Sequence, residues 1–248
     1  VIKLYSILCL TSYDWDRGLG TCHNCDTSFQ LHTYQRKGAS ERVYVRPDAI
    51  EQFDDISTNV ETWFGTRGIS KQTLQELQVT EGSEWMPQTS KAENTIQFNY
   101  FMGDQLINIK YRDGRKNFKL YKGAEKVFYN INSIIGYDEC IIVEGEMDVL
   151  ALHEAGVKNV ISVPNGATLN SNNLDYLDNC IDYFEDKTKI ILAVDADEAG
   201  QALKHEFIRR LGAEACYTVD FADCKDANDY LIEHSADMLR SAIHAAKQ

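Results

Sequence analysis

From position 136 onward the chain alternates short apolar, β-branched runs with amphipathic stretches of helical period, the pattern of βα units. Strands are predicted over Glu139–Val143, Asn159–Val163, Lys189–Val194 and Glu214–Val219. Helices are predicted over Met147–Ala155 (with Gly156 as its C-cap), Leu174–Phe184 and Glu198–Leu211, and a last helical region runs from Lys225-Asp-Ala-Asn228 through Ala246. Repeated βα units of this kind build a mostly parallel sheet flanked by helices. The first half reads differently. Thr62–Gln78 is helical with a break at Gly68-Ile-Ser70, where Ser70 is placed to cap a helix over Lys71–Leu77. Thr95–Phe101 and Leu106–Tyr111 alternate well enough for a hairpin around Gly103-Asp104, and strand character continues to about Phe128. Residues 1–36 read as short strands and turns, with a hairpin turn at Asp16–Gly20, and residues 37–59 read as a linker.

The pattern therefore predicts an α/β fold in four parts: residues 1–36, the linker 37–59, a smaller mixed α+β region 60–134, and the parallel-sheet domain 135–248. Composition adds little to this. Hydrophobic content of 44% and charged content of 25% are ordinary for a globular protein. No apolar run approaches a membrane span and no signal peptide is evident, so no membrane is expected as a partner. Seven cysteines without regular spacing favour a reducing compartment, the cytoplasm of a bacterial cell or a phage-infected host. The net charge of −13 argues against a general nucleic-acid coat, but it is a sum over unlike patches.

The candidate chemistry sits at strand ends. Glu144-Gly-Glu-Met-Asp148 follows the first strand of the second half, Pro164-Asn-Gly166 the second, and Asp195-Ala-Asp197 the third. Each acidic fragment alone is an ordinary helix start, because the macrodipole favours carboxylates there. Together they place several carboxylates at the C-terminal edge of one sheet, where open α/β folds bind ligands and hard divalent cations find oxygen donors.

This order and spacing resemble the toprim domain, the catalytic module of bacterial-type primases, topoisomerases and some nucleases. Val143-Glu-Gly-Glu-Met-Asp148, Val163-Pro-Asn-Gly-Ala167, Asp195-Ala-Asp-Glu-Ala-Gly200 and Lys225-Asp-Ala-Asn228 are similar to the primase branch, as found in the primase–helicases of tailed phages and their mitochondrial relative. The resemblance covers residues 61–248, and the N-terminal region more loosely. It implies a DNA-dependent RNA polymerase that makes short primers on single-stranded DNA from ribonucleoside triphosphates. The expected partners are a replicative helicase, fused or separate, and a DNA polymerase that takes over the primer. It further implies that Asp195 and Asp197 hold Mg²⁺ or Mn²⁺, with Asp148 and Asp226 as further ligands or supports. Glu144 is then the general base on the attacking 3′-hydroxyl, or a metal ligand. A toprim nuclease and a non-catalytic DNA-binding and helicase-assembly module are the competing expectations.

Two further stretches bear on this reading. Between positions 110 and 126 lie Lys110, Arg112, Arg115, Lys116, Lys119, Lys122 and Lys126. A solvated hairpin face is the plain account of such a run. The interleaved Tyr111, Phe118 and Tyr121 suit base stacking beside phosphate contacts. By resemblance, Lys110, Arg112, Lys116, Lys119 and Lys122 contact nucleotide or template, with Arg67 of the Arg67-Gly-Ile-Ser70 segment near the template. Near the N-terminus, Cys22-His-Asn-Cys25 looks like one knuckle of a zinc ribbon, a partial Zn²⁺ site that needs a second knuckle to close. Cys140, Cys180, Cys216 and Cys224 read as core or helix residues.

Overall fold

The computed structural model describes residues 11–14, 19–22, 28–30, 43–48, 56–167 and 174–248. It comprises two units, Val1–Arg42 and Val43–Gln248. In the first, β1 (Thr11–Asp14), β2 (Leu19–Cys22) and β3 (Ser28–Gln30) form an antiparallel sheet in that order, with Asp14 opposite Leu19. Cys25 and the side chain of Cys22 lie outside the described residues, so the expected zinc knuckle does too.

The second unit opens with α1 (Thr58–Gly65), which starts ahead of the predicted helix because the Ser57 side chain accepts from the Val60 amide. Ser70 caps α2 (Lys71–Glu76) as the sequence predicts, accepting from Thr73 N at 3.3 Å. Four antiparallel strands follow: β4 (Thr80–Met86), β5 (Lys91–Met102), β6 (Gln105–Asp113) and β7 (Phe118–Leu120), in the order β4-β5-β6-β7. Gly103, at φ +58°, turns the expected hairpin between β5 and β6.

The second sheet is wholly parallel. Its strands are β8 (Glu139–Val143), β9 (Val160–Ser162), β10 (Lys189–Leu192) and β11 (Cys216–Thr218), in the order β11-β10-β8-β9. Cys140–Val143 are all buried, as a central strand covered on both faces requires. The helices are α3 (Glu146–Glu154), α4 (Asp175–Asn179), α5 (Glu198–Leu211), α6 (Ala227–Glu233) and α7 (Ala236–His244). The single helix predicted over Leu174–Phe184 is broken: Cys180 leaves helical backbone at φ −118°, and a 3-10 turn carries Ile181–Phe184. Cys140, Cys180, Cys216 and Cys224 are buried free thiols. Among the described residues no helix is long and apolar enough to cross a membrane.

One hydrophobic core runs through both sheets, joining Phe98, Tyr100 and Ile107 to Tyr129, Ile142, Val149 and Leu150. Three polar ties fix the parts across it. Tyr129 exchanges backbone hydrogen bonds with Ser162 of β9 at 2.9 and 3.3 Å. Glu154 of α3 accepts from Ser70 N, Ser70 Oγ and Thr73 Oγ1, while Glu76 of α2 holds His153 at 2.6 Å and Lys158 at 3.0 Å. The third tie is buried. Lys110 Nζ of β6 lies 2.9 Å from both Glu146 oxygens at the start of α3, and Tyr100 Oη of β5 donates to the same carboxylate. Glu146 is 4% exposed and Lys110 9%.

Removing one member of such a pair strands a charge in a medium that solvates it poorly. Lys110→Met is expected to destabilise by about 3–5 kcal/mol in urea unfolding. Adding Glu146→Gln, which removes the charge but keeps an acceptor for Tyr100, is expected to recover much of that loss. A double variant no more stable than the single one would mean that the pair contributes by packing alone.

Candidate active site

The ends of the parallel strands build the acidic site. Where β8 stops at Val143 the chain turns through Glu144 and Gly145 into α3, and a Cβ on Gly145 would stand 3.2 Å from Asp148 Oδ2. Glu144 is thereby aimed across the sheet edge. Its Oε1 accepts from Asp195 N at 3.0 Å and its Oε2 from Ala167 N at 3.3 Å. One carboxylate therefore ties together the loops after β8, β9 and β10. Gly200 of α5 makes this approach feasible, because a Cβ there would overlap both the Asp195 carbonyl oxygen and Glu144 Oε1. Burial, then the negative charge of Asp195 and more weakly Asp197, pushes the Glu144 carboxyl up to about 7, against the pull of its two backbone donors.

The other predicted acids surround it in distinct roles. Asp148 is buried on the first turn of α3 and accepts from Asn228 N at 3.2 Å. Burial raises its carboxyl well above the usual range, and the charges of Asp226 and Asp195 add to this. Asp195 is half-buried and meets Lys225 Nζ at 2.9 Å; burial raises it, with Lys225 opposing. Asp197 caps α5 through Gly200 N at 2.9 Å, and Asp226 caps α6 through Asp229 N at 2.8 Å. Three carboxyls raised by burial and mutual repulsion, with one lysine drawn onto them, make a pocket of negative potential that suits a hard divalent cation. Among the described residues these acids do not bring three carboxylates within 4.8 Å of one another.

The basic residues divide. Arg67 and Arg112 both place their guanidinium carbons over the Trp63 ring, at 4.6 and 4.4 Å from its centroid. Arg112 also lies 6.0 Å from the ring of Phe118, a residue 39% exposed. Arg67 Nη1 donates to Asn228 Oδ1 at 3.3 Å, and Asn228 Nδ2 donates to the Arg67 carbonyl at 2.9 Å. Asn228 thus joins the arginine pair to Asp148. Lys116, at φ +66°, and Lys122 are exposed. Lys119 is paired with Glu84 at 2.6 Å. Lys110 departs from the expectation of a ligand contact: its ammonium is buried against Glu146. Trp63, Glu146 and Asn228 are the members the sequence reading did not pick out. Glu146 and Asn228 carried a signal, as members of the Glu144-Gly-Glu-Met-Asp148 and Lys225-Asp-Ala-Asn228 motifs, whereas Trp63 carried none.

Residues 141–231 match a family model described as Toprim-like. The primase homolog protein of Arabidopsis thaliana is 34% identical over 209 residues, covering 77% of this chain and 60% of that protein. The Twinkle homolog protein, chloroplastic/mitochondrial, of the same plant is 32% identical over 209 residues, covering 77% and 29%. The DNA helicase/primase of Enterobacteria phage T3 is 26% identical over 216 residues, covering 83% and 35%. The chain thus spans less than two thirds of each of these relatives. The crystal structure of the primase fragment of the bacteriophage T7 primase-helicase protein shares the fold, with a TM-score of 0.60 at 23% identity over 92% of this chain and 90% of that one. The chain carries a toprim domain and is homologous to the plant primase and Twinkle homolog proteins and to the phage helicase/primase.

Proposed function

We propose that this chain is a DNA primase, joining ribonucleoside triphosphates into short primers on a single-stranded DNA template. The observation that carries the reading is Glu144: a carboxylate with its proton affinity near neutrality, anchored by amides of two neighbouring loops, with the charges of Asp195 and Asp197 acting on it and Asp148 close by. In the reaction the 3′-hydroxyl oxygen of one nucleotide bonds to the α-phosphorus of the next. The bond to the β-phosphate oxygen breaks and pyrophosphate leaves. Glu144 is the residue suited to take the hydroxyl proton. Asp195 and Asp197, with Asp148 and Asp226 behind them, would hold Mg²⁺ or Mn²⁺, which when bound neutralises phosphate charge and acidifies the hydroxyl. Arg112 and Arg67, held on Trp63, supply cations toward triphosphate and template, and exposed Phe118 offers a stacking face. Lys116, Lys119 and Lys122 extend the basic strands.

The partners follow from the same reading: a template strand, a helicase that exposes it (the phage relative is named a helicase/primase) and a DNA polymerase that extends the primer. A toprim nuclease and a non-catalytic assembly module are distinguished from this in one assay, incubation with labelled ribonucleotides, single-stranded DNA and Mg²⁺ or Mn²⁺. Dinucleotides and longer products are expected; cut template would indicate a nuclease, and binding without product an assembly module. Glu144→Gln is expected to slow synthesis by about 10²–10⁴-fold, and Asp195→Asn to abolish it, with circular dichroism spectra unchanged. Wild-type rates in either purified variant would remove the assignment.

Trp63 generates a separate expectation. Trp63→Ala frees both arginines from their ring and should raise the apparent KM for template or nucleotide by about 3- to 30-fold, the range two cation–π contacts span. Trp63→Phe should keep most of the wild-type value. An unchanged KM in Trp63→Ala would show that the arginines are positioned by other contacts.

A further inference from the structure

Flanking Lys225 and Asp226 in sequence, just before them and at the end of α6, stand three side chains of a different chemical class. Cys224 directly precedes Lys225, and Glu233 and His234 close α6. One ligand atom from each, a sulfur, a carboxylate oxygen and an imidazole nitrogen, lies within 4.8 Å of the other two. Among the described residues this is the trio that meets that spacing.

The local geometry is that of a clasp. The Cys224 thiol is buried and donates to Glu233 Oε2 at 3.5 Å. That separation matches the roughly 3.5 Å between donor atoms around a tetrahedral zinc ion with bonds of about 2.0–2.3 Å. His234 is held from behind by Tyr230, whose ring centroid is 4.3 Å from its own, so the imidazole is oriented without its nitrogens being used in that contact. Glu233 and His234 are exposed, which leaves a path for an ion to reach the buried sulfur. Asp223 and Asp229 add negative charge around the thiol. Hard cations do not seek a thiolate, whereas borderline-soft Zn²⁺ binds sulfur, imidazole and carboxylate together.

We propose that Cys224, Glu233 and His234 form a three-ligand site for Zn²⁺, completed by water and distinct from the carboxylate site for Mg²⁺ or Mn²⁺. On binding, the thiol proton now directed at Glu233 is released to solvent, and sulfur, oxygen and nitrogen close on the ion. The clasp joins the loop before Asp226 to the far end of α6, so the loop bearing Lys225 and Asp226 is pinned at both sides. The inference is independent of the polymerase reading and stands whether or not the chain makes primers.

The test uses Co²⁺ as a spectroscopic substitute for Zn²⁺ on the full chain carrying Cys9→Ser, Cys22→Ser and Cys25→Ser, which silences the N-terminal thiols. The expected result is a near-ultraviolet thiolate-to-cobalt band saturating at one equivalent, abolished by Zn²⁺ and unaffected by excess Mg²⁺. Cys224→Ser should eliminate the band. His234→Ala, a change at an exposed residue that leaves the core intact, should weaken Co²⁺ binding by at least ~10-fold. No band at saturating Co²⁺, a band that survives Cys224→Ser, or unchanged affinity in His234→Ala would overturn the proposal.

Discussion

The carboxylate of Glu146 is the point on which the arrangement of the two sheets depends. It begins α3, directly after the strand end that carries Glu144, and it is buried against an ammonium from β6 and a phenol from β5. A carboxylate desolvated to this degree is tolerable only while both partners are in place. The pairing is therefore a positional constraint more than a source of net stability. It sets how the antiparallel strands bearing Arg112 stand against the parallel sheet bearing the acids. Apolar packing between the same surfaces, such as Tyr100 on Tyr129, would tolerate sliding that an ion pair with two 2.9 Å contacts does not.

Around that fixed point, opposite electrostatic problems are solved by similar means. On the acidic side, amides at loop ends and helix starts hold carboxylates that repel one another. On the basic side, the Trp63 indole holds two guanidiniums that also repel, and burial and the nearby Arg67 lower the proton affinity of Arg112. Asn228 stands between the two, its backbone N–H on Asp148 and its side chain on Arg67. A short α6, capped by Asp226, is enough to hold that amide in place because α3 packs beside it.

The parallel half of the fold was legible where strands are runs rich in Ile and Val, as in β8, β9 and β10, and where a helix end carries its own signal: Asp197 at the start of α5, Gly156 after α3. The strand β4 was not. Thr80-Glu-Gly-Ser-Glu-Trp-Met86 shows no apolar alternation, since it is an edge strand whose Trp85 is 57% exposed, and it is secured by pairing to β5 and by Glu81 holding Ser57 and Asn94. The site was legible as a set of residue types at strand ends. What one sequence could not disclose were long-range pairings: a lysine in a strand reads as solvent-facing until Glu146, far along the chain, is brought to it. Trp63 was invisible for the same reason, because nothing near it in sequence announces that Arg112 will share its ring with Arg67.

The close approach at Gly200 carries a consequence for anyone altering this chain. Position 200 has no side chain of its own, yet it defines the hollow into which another residue's carboxylate is seated. A glutamate at 144 and a glycine at 200 are in this sense one functional group written at two places in the gene. A library that fixed the acids and randomised their surroundings would lose the site through a residue that carries no chemistry at all.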